Sequence, residues 1–462
     1  MKIVFIEPGA PGFHVFSGIR LPRLGLPLLS ALAHERGHEA SVFCEDLAPL
    51  DETVIDDADI VGISATTSTA PRAYLLADRF MSQGKFVVLG GPHPTFRPDE
   101  ALEHAHAVVR GEGEETFVEL LDALKTDRSF ATIQGLSYRR SPRGAFTHNP
   151  DRPCHASLDD LPAPDLASIR GFARMRVTPI MTSRGCPHNC RFCSVTRMFG
   201  RRYRTRSVEK VLDDLARLKP RFVFFYDDNF AADVERVREL CRGIVASGLS
   251  FRWSAQVRLD LSRHPDVLAL MKEAGCTLVH IGIESIDPAS LDALGKKQRI
   301  ADPMRALAVF KEHGIDVHGM FIFGTDADTV DSLRETAAFS RKAPLFTVQY
   351  LAMTPLPGTP LFDELERGGR LLTSDWSQYD GHHVVHRPAR MTPLELQREI
   401  IAATVRFYSS WRVLARALTF RWMHAYYLMS GHRKMKRWLK SNRDLVARVA
   451  RGSSRAAAPL SR

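Results

Sequence analysis

The chain has 462 residues, of which 44% are hydrophobic, and this suits a protein of two or three domains with their own cores. No apolar run reaches the length of a membrane-spanning helix, and the N-terminus lacks the features of a signal peptide, so we expect a cytoplasmic protein. The formal net charge of +10 leaves three anionic partners open: nucleic acid, anionic lipid or an acidic substrate.

Residues 1–125 alternate short apolar strands with helices, which predicts a parallel, doubly wound sheet. In such a sheet, ligands bind beside the loops that follow the strands. Here these loops are small, polar and rich in glycine, which lets the backbone approach a large ligand closely. The candidate binding residues in these loops are Pro8, Gly9, Thr66, Thr67, Ser68, Gly90, Gly91, His93, Gly111, Glu112 and Gly113.

The remaining chain divides into four parts by composition and pattern. Residues 126–175 predict a connector with a small hairpin at 135–148 and a stiff, proline-rich stretch at 161–164. Residues 176–375 predict six further strand–helix units, which form an open parallel barrel with its active residues at the strand ends. Residues 376–451 predict a mostly helical region, and residues 452–462 predict a disordered tail.

Three closely spaced cysteines follow the first strand of the predicted barrel. Cys186, Cys190 and Cys193 have the spacing C-x3-C-x2-C, which allows their thiolates to converge on one metal centre. Structural zinc sites and ordinary iron–sulfur clusters take four protein ligands. Three cysteines would therefore leave one iron of a [4Fe–4S] cluster open, whereas a zinc knuckle would need His188 as a fourth ligand.

This spacing, with Phe192 before the third cysteine, resembles the signature of the radical S-adenosylmethionine (SAM) superfamily. Residues 1–125 resemble the cobalamin (B12)-binding domain that precedes many radical SAM domains, in class B methyltransferases, anaerobic cyclases and hopanoid methylases. The motif D-x-H-x-x-G, whose histidine binds cobalt from below, is absent from residues 1–125. The resemblance implies three cofactors: a [4Fe–4S] cluster, SAM and cobalamin.

The resemblance also implies an α/β fold and individual residue roles. The expected order is a Rossmann-like cobalamin-binding domain, a partial (β/α)6 radical SAM barrel and a helical C-terminal region. Tyr350 would line the substrate side of the barrel. SAM would be contacted by Phe192, Asp227, Asp228, Gln256, Arg258, Glu284 and Ser285.

The implied reaction is methylation of an unactivated carbon, by way of a 5′-deoxyadenosyl radical and methylcobalamin. It would require a small-molecule or lipid substrate and a one-electron reductant such as flavodoxin or ferredoxin. Two alternatives stay open, namely a radical cyclase or oxidoreductase with the same cofactors and a non-catalytic iron–sulfur and cobalamin sensor.

Two features of the C-terminal region suggest possible functions. His382, His383 and His386 form a cluster that predicts a lid or a substrate wall, with metal binding as the alternative. From Arg406 onward the sequence is basic and aromatic, and Asp444 is its one acidic residue. This pattern is typical of a peripheral helix at the inner membrane face, with a packed helical cap as an equal alternative and a nucleic-acid patch as the least favoured one.

Overall fold

The computed structural model describes residues 1–10, 21–139, 144–298 and 301–451. The predicted disordered tail, residues 452–462, lies outside the described residues. The described chain forms two sheets flanked by helices, followed by a helical region. This arrangement confirms the expected α/β fold class.

The first sheet has seven strands in the order β2-β1-β3-β4-β5-β6-β7. Its first five strands are parallel and its last two are antiparallel, because β6 and β7 form the predicted hairpin of the connector. The sheet therefore continues beyond residue 125. The strands are β1 (Lys2–Glu7), β2 (Glu39–Cys44), β3 (Ile60–Ser64), β4 (Phe86–Gly90), β5 (Ala107–Val109), β6 (Leu136–Arg139) and β7 (Phe146–His148).

Helices cover both faces of this sheet, so its central strands are apolar on both sides, as a parallel sheet requires. The helices are α1 (Gly25–Glu35), α2 (Glu52–Asp56), α3 (Ala70–Ser82), α4 (Pro92–Phe96), α5 (Pro98–Leu102) and α6 (Glu114–Thr126). Short 3-10 turns lie at Thr67–Thr69, Phe130–Thr132, Leu166–Ser168 and Phe172–Arg174.

The second sheet has six parallel strands in the order β15-β14-β13-β12-β11-β8, and a separate two-stranded pair, β9 and β10, flanks it. These strands are β8 (Thr178–Ile180), β9 (Ser183–Arg184), β10 (Arg204–Thr205), β11 (Phe222–Phe225), β12 (Arg252–Val257), β13 (Cys276–Glu284), β14 (Asp316–Phe323) and β15 (Thr347–Ala352). The associated helices are α7 (Val195–Phe199), α8 (Val208–Leu218), α9 (Val234–Ala246), α10 (Pro265–Glu273), α11 (Pro288–Ala293), α12 (Pro303–Glu312), α13 (Val330–Lys342) and α14 (Pro360–Arg367), with 3-10 turns at Leu259–Arg263 and Trp376–Gln378.

Alternate residues of the second sheet face its two sides. Val279, Ile281, Phe321 and Phe323 pack into the core beneath the helices. On the other side, the rings of Phe224 and His280 lie 5.6 Å apart although β12 separates their strands. The second face is therefore concave, as expected for an open barrel.

The C-terminal region consists of α15 (Pro393–Phe407), α16 (Ser410–Leu418), α17 (Trp422–Ser441) and α18 (Arg443–Arg451). Thr392 and Glu395 form a capping box at the start of α15. The Tyr408 hydroxyl bonds both backbone groups of Val348 and so covers the edge strand β15. Among the described residues, none of the helices combines the length and apolar character needed to cross a bilayer.

Candidate active site

The three cysteines lie on the loop between β9 and α7, at the end of β8. Gly185 opens this loop with φ +84°, and a side chain there would come within 2.4 Å of the Arg202 carbonyl oxygen, so the turn requires glycine. All three cysteines are free and partly exposed. Burial raises the pKa of the Cys193 thiol to about 12, and the charges of Asp228, Cys190 and Cys186 act in the same direction.

Charged residues from three other strand ends surround this loop. Burial raises the pKa of the Cys190 thiol, whereas the neighbouring cations of Lys296 and Arg258 lower it, and Glu284 raises it again. At Cys186, the charge of Asp228 raises the pKa of the thiol and the charge of Arg258 lowers it. The structure thus brings the cysteine loop together with three of the predicted SAM contacts, Asp228, Arg258 and Glu284.

These residues fit an iron–sulfur cluster with SAM bound at one iron. In the described ranges, no group of three or more His, Cys, Asp or Glu side chains is arranged to hold a metal ion, so the fit rests on the chemistry of the donors. Three free thiols on one short loop are the donor set of a cluster with one open iron. Arg258 Nη2 is buried without a hydrogen-bond partner, so this guanidinium can donate to a ligand carboxylate such as that of SAM.

Asp227 is placed differently from the predicted SAM contact. Its carboxylate is fully buried and accepts hydrogen bonds from the backbone N–H of Thr182 (2.7 Å) and Ser183 (3.1 Å) and from the Thr182 hydroxyl. Asp227 thus ties the end of β11 to the segment that joins β8 and β9, whereas the charge of Asp228 acts on the thiols of Cys186 and Cys193. Burial raises the pKa of Asp228 to about 6, with a further contribution from Asp227. Gln256 donates to the Asp227 carbonyl oxygen at 3.3 Å.

The end of β13 is distorted at Glu284. Its φ of +62° is rare for a residue other than glycine, and the register with β14 shifts between Gly282 and Glu284. The buried Glu284 carboxylate pairs with Lys296 Nζ at 2.7 Å. Such strain concentrates at functional sites. The sequence interpretation missed Lys296 because it follows the short helix α11 and not a strand.

The other predicted SAM and substrate residues occupy mixed positions. Ser285 is buried and its hydroxyl accepts from the Asp287 N–H at 3.1 Å, within a turn. Phe192 packs against the apolar cluster of Leu294 and Leu361. Tyr350 faces the helices, not the concave side: it stacks on Phe321, and its hydroxyl bonds Ser340 of α13. Its position in the core does not fit the expected substrate contact.

A polar row crosses the middle of the concave face. Gln256, His280, His318 and Thr347 occupy paired positions on four successive strands. His318 Nδ1 lies 2.8 Å from the Thr347 hydroxyl, and the two imidazole rings are 5.2 Å apart. Burial lowers the pKa of His280 to about 3 and that of His318 to about 4, so both are neutral at pH 7. The sequence analysis did not predict this row, although His280 and His318 both lie in strands of the predicted barrel, where alternate residues share one face.

The strand ends of the first sheet form a second glycine-rich edge. Gly91 has φ +90°, and a side chain there would come within 2.8 Å of the Ala65 carbonyl oxygen. Beside it, Thr66 caps the 3-10 turn that contains Thr67 and Ser68. His93 is fully buried, with Nδ1 3.3 Å from the Thr67 hydroxyl and Nε2 3.3 Å from Glu100 Oε1. Neither nitrogen of His93 is free to bind cobalt in this arrangement.

The loop at 111–114 contacts the second domain directly. The Glu112 carboxylate accepts two hydrogen bonds from Arg204, at 2.7 and 2.8 Å, and a third from Arg184 at 3.2 Å. Glu114 pairs with Arg184 as well. Glu112 therefore joins the first domain to the strand that carries the cysteine loop, a role that its predicted place at a cobalamin loop did not anticipate.

The remaining edge of the first sheet lies in the domain against which Met181 and Tyr226 of the second domain pack. Gly9 donates to Glu45 Oε2, and Glu7 accepts from the backbone N–H of Arg23, both at 2.9 Å. Tyr226, which follows β11, packs against the apolar core of the first domain. Burial raises the pKa of its hydroxyl to about 12, the charge of Arg23 lowers that pKa, and those of Glu7 and Asp228 raise it. Arg23 Nη1 is buried without a partner, so it fits a ligand with amide carbonyl or phosphate acceptors, which cobalamin offers.

The predicted histidine cluster makes hydrogen bonds that attach the C-terminal helical region to the second domain. His383 bonds Asp380 Oδ2 and Asn442 Oδ1, both at 2.9 Å, and His386 Nε2 donates to the Gly324 carbonyl oxygen at 2.9 Å. In the part of the chain that the structure describes, these histidines belong to no metal-ligand group. They connect the end of β14 with the helical region.

Family models match both domains. The model of the radical SAM superfamily matches residues 180–340, and the model of the B12 binding domain matches residues 17–121. The first match contains the cysteine loop and strands β11 to β14, and the second contains the glycine-rich edge of the first sheet. These matches support the iron–sulfur interpretation of the three cysteines over the zinc knuckle.

Whole-chain comparisons agree with the family models. An uncharacterized methyltransferase of Pyrococcus horikoshii is 34% identical over 436 residues, which cover 90% of this chain and 94% of that protein. Bacteriochlorophyllide d C-12(1)-methyltransferase of Chlorobaculum tepidum is 30% identical, with 74% of each chain covered. The structure of OxsB, a cobalamin-dependent S-adenosylmethionine radical enzyme with aqua-cobalamin bound, shares the fold with a TM-score of 0.71 at 18% identity, over 92% of this chain and 72% of that chain.

Proposed function

This chain belongs to the B12-binding radical SAM family, and from that premise we propose that it methylates an unactivated carbon of a small-molecule or lipid substrate. It is a cobalamin-dependent radical SAM enzyme whose cofactors are a [4Fe–4S] cluster, SAM and cobalamin. The similar proteins of Pyrococcus and Chlorobaculum are both named methyltransferases, which supports methyl transfer over cyclisation.

The observation that carries the proposal is the contact of Tyr226, which follows β11, with the first domain. Tyr226 packs against the apolar core of that domain, and the charge of Asp228, two residues later, acts on the thiol of Cys186 in the cysteine loop. A carbon held beside Tyr226 would thus lie near the binding loops of both domains. When bound, the cluster and SAM supply a 5′-deoxyadenosyl radical that removes hydrogen, and cobalamin supplies the methyl group.

The residues of this chain contribute position and surroundings. Arg258 offers a free buried N–H to a carboxylate, and the Glu284–Lys296 pair fixes the neighbouring strand end. The row of Gln256, His280, His318 and Thr347 offers uncharged donors and acceptors on the concave face. Such a surface suits a substrate with hydroxyl or carbonyl groups better than an ionised one, because a buried charge without a counter-ion is costly.

Anaerobic reconstitution with iron, sulfide and hydroxocobalamin, followed by SAM with a trideuterated methyl group and a strong reductant, tests the proposal. Total lipid and small-molecule extracts serve as substrate sources. We expect 5′-deoxyadenosine, S-adenosylhomocysteine and a product that carries the deuterated methyl group. Cys190→Ala should abolish 5′-deoxyadenosine, whereas Cys154→Ala, which removes an exposed cysteine outside the loop, should not.

The products also separate the alternatives. Formation of 5′-deoxyadenosine with no S-adenosylhomocysteine and no transfer of label would contradict methylation and favour a cyclase or oxidoreductase. Absence of 5′-deoxyadenosine from a fully loaded protein would favour the sensor alternative.

A further inference from the structure

The exposed apolar side chains of this protein are concentrated in one place. We call α16 and α17, with the turn 419–421 between them, the C-terminal hairpin; the two helices pack against each other. Thirteen large apolar side chains are exposed in the described part of the chain, and nine of them lie between residues 411 and 429. Contiguous exposed apolar surface of this kind marks a binding surface, whereas isolated exposed residues do not.

Helix α16 has its apolar side turned outward. Trp411, Leu414 and Leu418 recur at helical spacing and are 75%, 46% and 68% exposed. On the inner side, Arg412 donates to the Arg341 carbonyl oxygen at 3.1 Å, and its guanidinium lies 4.1 Å from the centre of the Phe407 ring. An ordinary surface helix presents the opposite arrangement, so the outer face of α16 is suited to an apolar environment.

The tip of the hairpin projects aromatic side chains. Phe420 is 81% exposed and has φ +56°, a conformation that is unfavourable for a bulky residue. Trp422 is 63% exposed, and its ring lies 6.1 Å from that of Phe420. Packing within the chain does not explain the strained turn, because the turn keeps the Phe420 ring outside the core.

Helix α17 combines aromatic and basic residues on one face. Helical spacing places Trp422, Tyr426 and Met429 in line on its first half, and all three are exposed. The same line continues on its second half with Arg433, Lys436, Arg437 and Lys440, which are exposed as well. Residues 406–451 contain twelve lysine and arginine residues against one acidic residue, so this segment alone exceeds the net charge of +10 of the whole chain.

The hairpin is attached firmly to the second domain. His424 Nε2 donates to the Phe346 carbonyl oxygen at 2.6 Å, and the Tyr427 ring lies 5.2 Å from that of Phe346. Phe346 directly precedes β15. The exposed tip and the basic face are thus presented by a fixed support.

We propose that the C-terminal hairpin binds the surface of a bilayer rich in anionic phospholipid. The aromatic tip and the outer face of α16 would enter the region between headgroups and acyl chains, and the basic half of α17 would contact lipid phosphates. The projecting, convex tip favours a bilayer over a protein partner, because protein interfaces seat such side chains in a matching pocket. This inference is independent of the reaction proposed above.

Sedimentation of the full-length protein with vesicles tests this inference. Vesicles of equal parts phosphatidylcholine and phosphatidylglycerol are compared with vesicles of phosphatidylcholine alone. The variant Phe420→Ser/Trp422→Ser removes the tip, and Arg433→Gln/Arg437→Gln removes part of the basic face. Leu75→Ser is the matched control, since Leu75 is 65% exposed on α3, far from the hairpin in sequence. Circular dichroism and thermal melting check that each variant is folded.

We expect the wild type to bind the anionic vesicles and both hairpin variants to bind at least about tenfold more weakly, with Leu75→Ser unchanged. Binding to phosphatidylcholine alone should be weaker than to the anionic mixture. The proposal is overturned if the wild type does not bind the anionic vesicles, or if the tip variant binds as the wild type does. A wild type that is dimeric, does not bind vesicles and becomes monomeric in the tip variant would assign the hairpin to a second copy instead.

Discussion

Glu112 and Arg204 form a buried, bidentate ion pair between the first and second domains, with N–O distances of 2.7 and 2.8 Å. Arg184 contacts the same carboxylate and stands two residues before Cys186. Burial works against ionisation of Glu112, but the hydrogen bond from Arg204 and the charges of both arginines hold its pKa below the usual value. The pair thus links the B12-binding domain to the strand that carries the cluster loop.

We expect Glu112→Gln to lower the stability of the protein by roughly 3 kcal/mol, because it leaves buried arginine without a charged partner. Thermal melting and limited proteolysis of the connector measure the effect. Glu115→Gln is the control, since Glu115 is exposed and pairs with Arg152 at the surface. It should change stability by less than about 1 kcal/mol.

The double variant Glu112→Gln/Arg204→Met separates this role from direct cobalamin contact. Removal of both charges should recover part of the lost stability. If the double variant regains stability and cobalamin binding, Glu112 acts through the domain contact. If it regains stability but still loses cobalamin, the original prediction of a cobalamin contact holds.

The fold was readable from the sequence because its signals are local and repeated. The alternation of strands and helices in residues 1–125 and the six strand–helix units of residues 176–375 were both predicted, and parallel strands are present in both places. Short helices such as α4 and α11 were missed, because five or six residues carry too little periodic signal. The hairpin at 135–148 was predicted, but its membership in the first sheet depends on long-range pairing of β6 with β5.

The site was predicted only in part, because strand-end position does not fix side-chain direction. Asp227 and Asp228 are adjacent, yet Asp227 binds the backbone of Thr182 and Ser183, whereas the charge of Asp228 acts on the cysteines. Tyr350 was assigned to the wrong face of β15 for the same reason. The role of Lys296 depends on its ion pair with Glu284, and no sequence pattern predicts the strained backbone of Glu284.

Lys296→Met should impair reductive cleavage of SAM. The substitution leaves the Glu284 carboxylate buried and unpaired beside Cys190, so we expect this strand end to shift and the KM for SAM to rise. A loss of one charged hydrogen bond corresponds to roughly tenfold to hundredfold in kcat/KM. Production of 5′-deoxyadenosine and the cluster absorbance are measured together. Lys297→Met, at an exposed neighbouring position, is the control, and an equal effect in both variants would refute a specific role for Lys296.

Cobalt should have no histidine ligand from His93. Both ring nitrogens of His93 are engaged, by Thr67 and Glu100, and the ring packs edge-on against Trp376 at 5.0 Å. We expect the electron paramagnetic resonance spectrum of the cob(II)alamin-loaded protein to show no nitrogen splitting that depends on His93. His93→Gln should leave the spectrum unchanged. Nitrogen splitting that disappears in His93→Gln would show that the loop rearranges to bind cobalt.

The histidine pair of the concave face should make the apoprotein sensitive to mild acid. Burial lowers the pKa of His280 to about 3 and of His318 to about 4, and a charge on His318, 5.2 Å away between ring centres, lowers the pKa of His280 further. In the unfolded chain both titrate near about 6.5, so the unfolded state binds more protons between about pH 4 and about pH 6.5. The contribution of these neutral rings to stability is therefore complete above that range and is lost as the pH falls through it.

Thermal melting of the cluster-free protein at about pH 7 and about pH 5 tests this expectation. His280→Gln/His318→Gln keeps hydrogen-bonding groups but cannot be protonated in this range, so its melting temperature should fall less on acidification than that of the wild type. His34→Gln, which replaces an exposed histidine, should behave as the wild type. If the melting temperatures of the wild type and the double variant fall by the same amount, the two rings are hydrated well enough to titrate freely, and the concave face is not the uncharged surface proposed for the substrate.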